Sequence, residues 1–238
     1  MVTQVMFAPD WFASKDIFIH GFNVLVLLLI AAFSLRSYFF KKQENKSYLF
    51  FAVSFILLAV SFLWRMVTDI TVIYEIIKVK QVGILDVTFK TIYTEKVLFV
   101  AGHLAHYLFL LLGLYILYVV LNRKSTMNHL FILYFIIITT IFSNFSYFIF
   151  HLTALVMLMG IAYRYYLIYK SNKRKSTKLL FISFCVLALS QVLFMPVRLY
   201  TNIYIVAQIA QLIGFLILLI AFIMVMYNGK KKSRKHNK

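Results

Sequence analysis

Long apolar runs separated by short polar stretches organise this chain. Seven runs approach or exceed the ~20 residues that a membrane-spanning helix requires: 17–39, 48–68, 96–121, 128–144, 146–169, 178–199 and 203–227. The fourth is the shortest, and the fifth follows it almost at once. Fusing the two would give a span of about 40 residues, too long for any bilayer, so Ser143–Ser146 is expected to form a tight turn. The pattern predicts an all-α fold, a polytopic membrane bundle of seven transmembrane helices. The one long interval, 69–95, holds Asp69, Glu75, Asp86 and Glu95 and alternates loosely from Val79 to Tyr93. It reads as a short hairpin or lid over the bundle, or as a solvated loop.

Composition narrows the class. Of 238 residues, 63% are hydrophobic, 18% aromatic and only 13% charged. A soluble fold of this size cannot bury that much apolar surface, which excludes a water-soluble enzyme, a nucleic-acid-binding domain and a disordered chain. The net charge of +18 has a topological reading. Seventeen of the 25 Lys and Arg fall on one set of loops and the C-terminal tail, and seven on the other side. The excess of basic residues on cytoplasmic loops then predicts a cell-membrane protein with its N-terminus outside and its C-terminus inside. The tail, Lys230 to Lys238, suits anionic lipid headgroups, and nothing aromatic accompanies it to support nucleic-acid binding. Cys185 is the single cysteine, so no intrachain disulfide forms, and it reads as a small buried residue. The first run lacks a preceding basic region and reads as a retained anchor.

An internal duplication runs through the chain. Residues 54–61 (SFILLAVS) and 183–190 (SFCVLALS) share five of eight positions, in the second and sixth runs. His20 opens the first run and His151 the fifth. Lys46-Ser47 and Lys175-Ser176 occupy matching linkers. His103-Leu-Ala-His106 in the third run is echoed by Gln208-Ile-Ala-Gln211 in the seventh. The expected organisation is a single membrane domain over 1–238: repeat one at 13–121, a linker helix at 128–144, repeat two at 146–228 and a basic cytoplasmic tail at 229–238. A single connecting helix makes the two copies parallel, related by an axis along the membrane normal.

This 3+1+3 layout resembles the heptahelical proteins that include PQ-loop and sugar-exporter carriers and microbial opsins. The resemblance covers the whole chain and is one of topology. The carriers' Pro-Gln pair is missing from runs one and five. No lysine occurs between Thr201 and Asn228, so an opsin's retinal has no attachment point in the last run. A looser likeness is to the multi-span sensor modules that precede histidine kinases; that likeness would require a separate membrane partner protein.

Ionisable and amide side chains inside a membrane are costly and therefore candidates for function. His20, His103, His106, His151, Gln191, Gln208 and Gln211 are expected at similar depth, in the outer half of the bundle. Arg65 and Arg198 sit at the outer ends of runs two and six, where they could bind an anionic group, and Arg65 is spaced to pair with Asp69 four residues on. Pro196 is expected to kink run six. Trp11, Trp64, Tyr200 and Tyr204 fit an outer aromatic belt. His103 and His106 share a helix face and could bind a metal with a partner imidazole from His20 or His151, or one of them could pair with His20 or His151 across a b-type haem. No carboxylate is expected at that depth.

Three functions fit. One is a non-enzymatic protein that binds, senses or transports a small molecule through an outward-facing His/Gln pocket. The second is a membrane redox protein holding haem or metal at His103 or His106. The third is a scaffold in which His and Gln merely bond helices together. The chain lacks a phosphate-binding glycine loop, a nucleophile elbow and the repeated histidine boxes of di-iron enzymes, so no enzymatic activity is expected.

Overall fold

A computed structural model describes the backbone of residues 12, 15–40, 46–82, 88–122, 126–143 and 147–236, and the side chains within these ranges except at 71–99, 126–131, 198 and 226–236. Among the described residues the fold is all-α. Seven helices follow in order: α1 (Asp16–Phe40), α2 (Ser47–Val82), α3 (Thr88–Asn122), α4 (Thr126–Ser143), α5 (Tyr147–Asn172), α6 (Lys175–Phe194) and α7 (Ile203–His236), with one 3-10 turn at Met195–Arg198. Six stretches are long and apolar enough to cross a membrane: Asp16–Phe40, Ser47–Ile70, Val100–Asn122, Tyr147–Asn172, Lys175–Val197 and Ile203–Val225. Six such helices point to an integral membrane protein, because a helix satisfies its own backbone in lipid. The described apolar part of α4, Ile132–Ser143, is shorter.

Several boundaries differ from expectation. The interval 69–95 is mostly helical: α2 continues to Val82 and α3 begins at Thr88. These extensions carry too many polar residues to register as apolar runs, and the described residues of the loosely alternating stretch, 79–82 and 88–93, are helical. The basic tail is likewise helical as far as His236. Pro196 does not kink α6 but ends it. Proline lacks a backbone N–H and crowds the preceding turn, so the Met195 amide bonds to the Val192 carbonyl and the chain tightens into the 3-10 turn. The Leu199 and Tyr200 amides then donate to the Pro196 carbonyl at 2.9 and 3.1 Å. The expected Ser143–Ser146 turn falls between α4 and α5, and 144–146 lie outside the described residues, as does Trp11.

The helices form a closed ring with one outlier. α2 packs between α1 and α3, and α6 packs between α5 and α7. The two triplets meet along two seams, α1 against α7 and α3 against α5. Exchanging α1, α2 and α3 for α5, α6 and α7 maps this set of neighbours onto itself. α4 stands outside the ring, against α3 and α5. The core inside includes Leu27, Ile30, Phe55, Leu111, Leu117, Ile161, Phe184 and Leu218. A second cluster caps one end, where Phe12 packs on Tyr147, Phe194, Val197, Tyr204 and Ala207.

Candidate functional site

The starts of α1, α5 and α7, the first turns of the apolar part of α3, and the ends of the apolar part of α2 and of α6 all lie at the capped end of the ring. Polar side chains at these positions therefore converge. A narrow cavity of about 30 Å³ lies between them. It is lined by His20 (α1), Arg65 (α2), His106 (α3), His151 (α5), Gln191 (α6), and Gln208 and Gln211 (α7), together with Phe62, Tyr107, Leu110, Tyr147, Phe150, Phe194 and Tyr204. Of the residues singled out in the sequence, His103 does not line the cavity, and the Arg198 side chain lies outside the described residues.

Hydrogen bonds fix the chemistry of each group. His103 and His106, one turn apart, both face α2. Arg65 donates from Nη1 to His103 Nε2 at 2.6 Å and from Nε to Asp69 Oδ2 at 3.2 Å. His106 donates from Nδ1 to the Ser61 carbonyl at 2.9 Å, which leaves its Nε2 as an acceptor. His151 donates from Nδ1 to Gln191 Oε1 at 2.7 Å, so its Nε2 is an acceptor too, and it is buried without a partner. Gln208 Nε2 donates to the Tyr204 hydroxyl at 2.9 Å, and that hydroxyl donates to Asp16 Oδ2 at 3.1 Å. Gln208 Oε1, Asp16 Oδ1, both ring nitrogens of His20 and the Asn23 amide are buried without hydrogen-bond partners. Unsatisfied groups of this kind are rare in proteins and mark a place where water or a ligand binds. Gln191→Leu should leave the His151 N–H without its acceptor and cost about 1–3 kcal/mol, read as a lower unfolding temperature in detergent. Wild-type stability in that variant would show that the pair is not formed.

Aromatic rings support the imidazoles. His151 stacks on Phe194 at 5.0 Å between centroids, and Tyr147 stands edge-on at 4.2 Å. Phe62 and Phe150 stand 5.8 and 6.0 Å from His106. Those rings flank His106 on two sides, and His103 Nε2 is taken by Arg65. A metal or haem iron at His103 Nε2 would have to displace Arg65, whereas His106 keeps Nε2 as an acceptor.

Two groups were misread in the sequence. Carboxylates do reach the depth of the histidines: Asp16 and Asp69 have ligand atoms within 4.8 Å of His20 and of each other. Asp16 belongs to the first turn of α1, where the helix dipole favours a negative charge, and it is 4% exposed. Its spacing four residues before His20 was the available signal. Tyr204 does not sit in an aromatic belt but is 1% exposed and bonded on both sides; Trp64 and Tyr200 do lie on the outer surface of the bundle. Cys185 is only partly buried, packed against the core. No family model, curated protein or solved structure matches the chain.

Proposed function

We propose that this chain is a membrane protein of seven spans that binds a small polar molecule in the cavity between its two three-helix halves, as a carrier or a sensor rather than an enzyme. The N-terminus and the cavity face outward, and the basic tail faces cytoplasmic lipid. The observation that carries the reading is the set of buried lone pairs around the cavity. His151 Nε2 and Gln208 Oε1, buried without partners, come from one half, and His106 Nε2, an acceptor on a cavity-lining ring, comes from the other. All three accept hydrogen bonds, so the favoured ligand presents donors: a polyol, or an amine.

Two features support the halves as repeats, 13–121 and 146–228 around the linker helix 128–144. All five residues shared by 54–61 and 183–190 are buried in both copies: Ser54 and Ser183, Phe55 and Phe184, Leu58 and Leu187, Ala59 and Ala188, Ser61 and Ser190. A shift of 131 pairs His20 with His151, Leu27 with Leu158, Ile30 with Ile161 and Ala31 with Ala162, again identical and buried in both. Two close approaches set the register of the third pair of helices. A side chain at Gly113 would strike Leu58, and one at Gly214 would strike Leu187. This pairing makes α7 match α3 one turn away from the register that aligns His103-Leu-Ala-His106 with Gln208-Ile-Ala-Gln211.

The test is a thermal-shift series on purified protein with sugars, polyols and primary amines, one class at a time. One donor-rich class should raise the melting temperature of wild type and leave that of Gln208→Leu and His151→Leu unmoved. The reading fails if no class shifts wild type, or if both variants respond as wild type does.

A further inference from the structure

We infer that Asp16, His20 and Asp69 form a binding site for a divalent transition-metal ion at the capped end of the ring, beside the cavity that His20 also lines. Asp16 and His20 stand i, i+4 on α1 and so share a face, and Asp69 meets them from α2. One ligand atom from each lies within 4.8 Å of the other two. Bonds of about 2.0–2.2 Å from zinc to nitrogen and oxygen put ligand atoms up to roughly 4 Å apart, so a small side-chain adjustment closes the shell.

Three observations beyond the acidic cluster point to a cation. First, His20 is 2% exposed and neither ring nitrogen has a hydrogen-bond partner, although Nε2 lies 3.6 Å from Asp69 Oδ2. Second, Asp16 Oδ1 is buried and unpartnered. Third, Asp16 and Asp69 both face Arg65, so among the described residues one guanidinium is shared between two largely buried carboxylates. A lone buried charge is expensive, and a bound cation offsets it.

The outer shell is the kind that metal ligands carry. Arg65 donates to Asp69 Oδ2 at 3.2 Å and Tyr204 donates to Asp16 Oδ2 at 3.1 Å. Each carboxylate is thus oriented by a side-chain donor, and Asp16 Oδ1 faces the ion. The His20 ring is held against Phe62 at 5.8 Å. Two oxygens and one imidazole suit zinc, manganese or ferrous iron rather than a thiolate-seeking ion such as Cu(I). Three protein ligands leave a position open to water.

Cobalt titration of the full chain in lipid nanodiscs, with no affinity histidines, tests this. Wild type should take up one Co²⁺ with visible d–d bands and release it to Zn²⁺. Losing an outer-shell partner typically weakens a site by 10–100-fold, so losing a ligand in Asp16→Asn or His20→Gln should weaken it at least about tenfold. Cys185→Ala, on α6 and outside both the triad and the cavity lining, should bind as wild type does. X-ray absorption on the zinc-loaded wild type should show one imidazole in an otherwise oxygen shell, a result that does not depend on any variant folding. No stoichiometric uptake by wild type, a shell with no imidazole or with several, or affinity unchanged in both triad variants would overturn the site.

Discussion

Gly214→Val should lower the unfolding temperature more than any other single change in the core. A Cβ at position 214 would lie 2.7 Å from both Cγ and Cδ2 of Leu187 and 3.3 Å from its backbone nitrogen. Clearing the overlap takes a χ1 change, and Leu187 is itself buried, so the swung side chain would meet close-packed neighbours. α7 cannot simply back away either, because the Gly214 carbonyl accepts the Ser183 hydroxyl at 2.9 Å. Overpacking of this kind costs about 1–3 kcal/mol for one added methyl and more for a branched side chain. Gly214→Ala is the milder form, and combining it with Leu187→Ala should restore part of the loss, a coupling that a double-mutant cycle measures. Gly113→Ala should behave similarly, with Leu58 Cγ at 2.9 Å and the Ser54 carbonyl at 3.0 Å from the new carbon. If Gly214→Val melts with wild type, the packing of α6 on α7 described above is wrong.

Arg65→Leu should be the most damaging change among the polar residues. It strands Asp69, only 12% exposed at its side chain, and removes the donor to His103 Nε2. Breaking a buried pair from one side costs about 3–5 kcal/mol, because the remaining charge has no compensation. Arg65→Leu combined with Asp69→Leu should recover most of that loss, since the pair is replaced by apolar volume. Arg65→Lys should fall between, keeping the charge but losing the planar fork that serves Asp69 and His103 together. Unfolding in detergent checks all three. Equal stability of Arg65→Leu and the double variant would show that Asp69 is hydrated rather than paired.

The spans were legible because lipid demands them: a backbone that must satisfy itself needs an unbroken apolar run, and six of those runs are helices of spanning length. The convergence of His20, His106, His151, Gln191, Gln208 and Gln211 on one cavity followed from their depth along those runs, since a helix rises a fixed distance per residue. Asp16 was missed for the same reason in reverse. It sits at the edge of an apolar run, where one residue of boundary error decides whether a carboxylate is inside or out. Tyr204 was missed because its ring suits an interface as well as it suits the interior; only its partners, Asp16 and Gln208, distinguish the two. The continuation of α2 and α3 past the apolar runs left no hydrophobic signal to read. The register of α7 against α3 depends on the close approach at Gly113 and Gly214, a contact between helices that no spacing within one helix reveals.

α4 gives the ring a mechanical handedness. It braces the α3–α5 seam, and among the described residues no helix braces the α1–α7 seam. Force that parts the two triplets meets resistance on the braced side, which then acts as the hinge, and the α1–α7 side is the clasp. The bond from Tyr204 to Asp16 crosses that unbraced seam, joining α7 to α1 at 3.1 Å. Whatever enters or leaves sideways between the triplets would pass that bond, within reach of the carboxylate it holds.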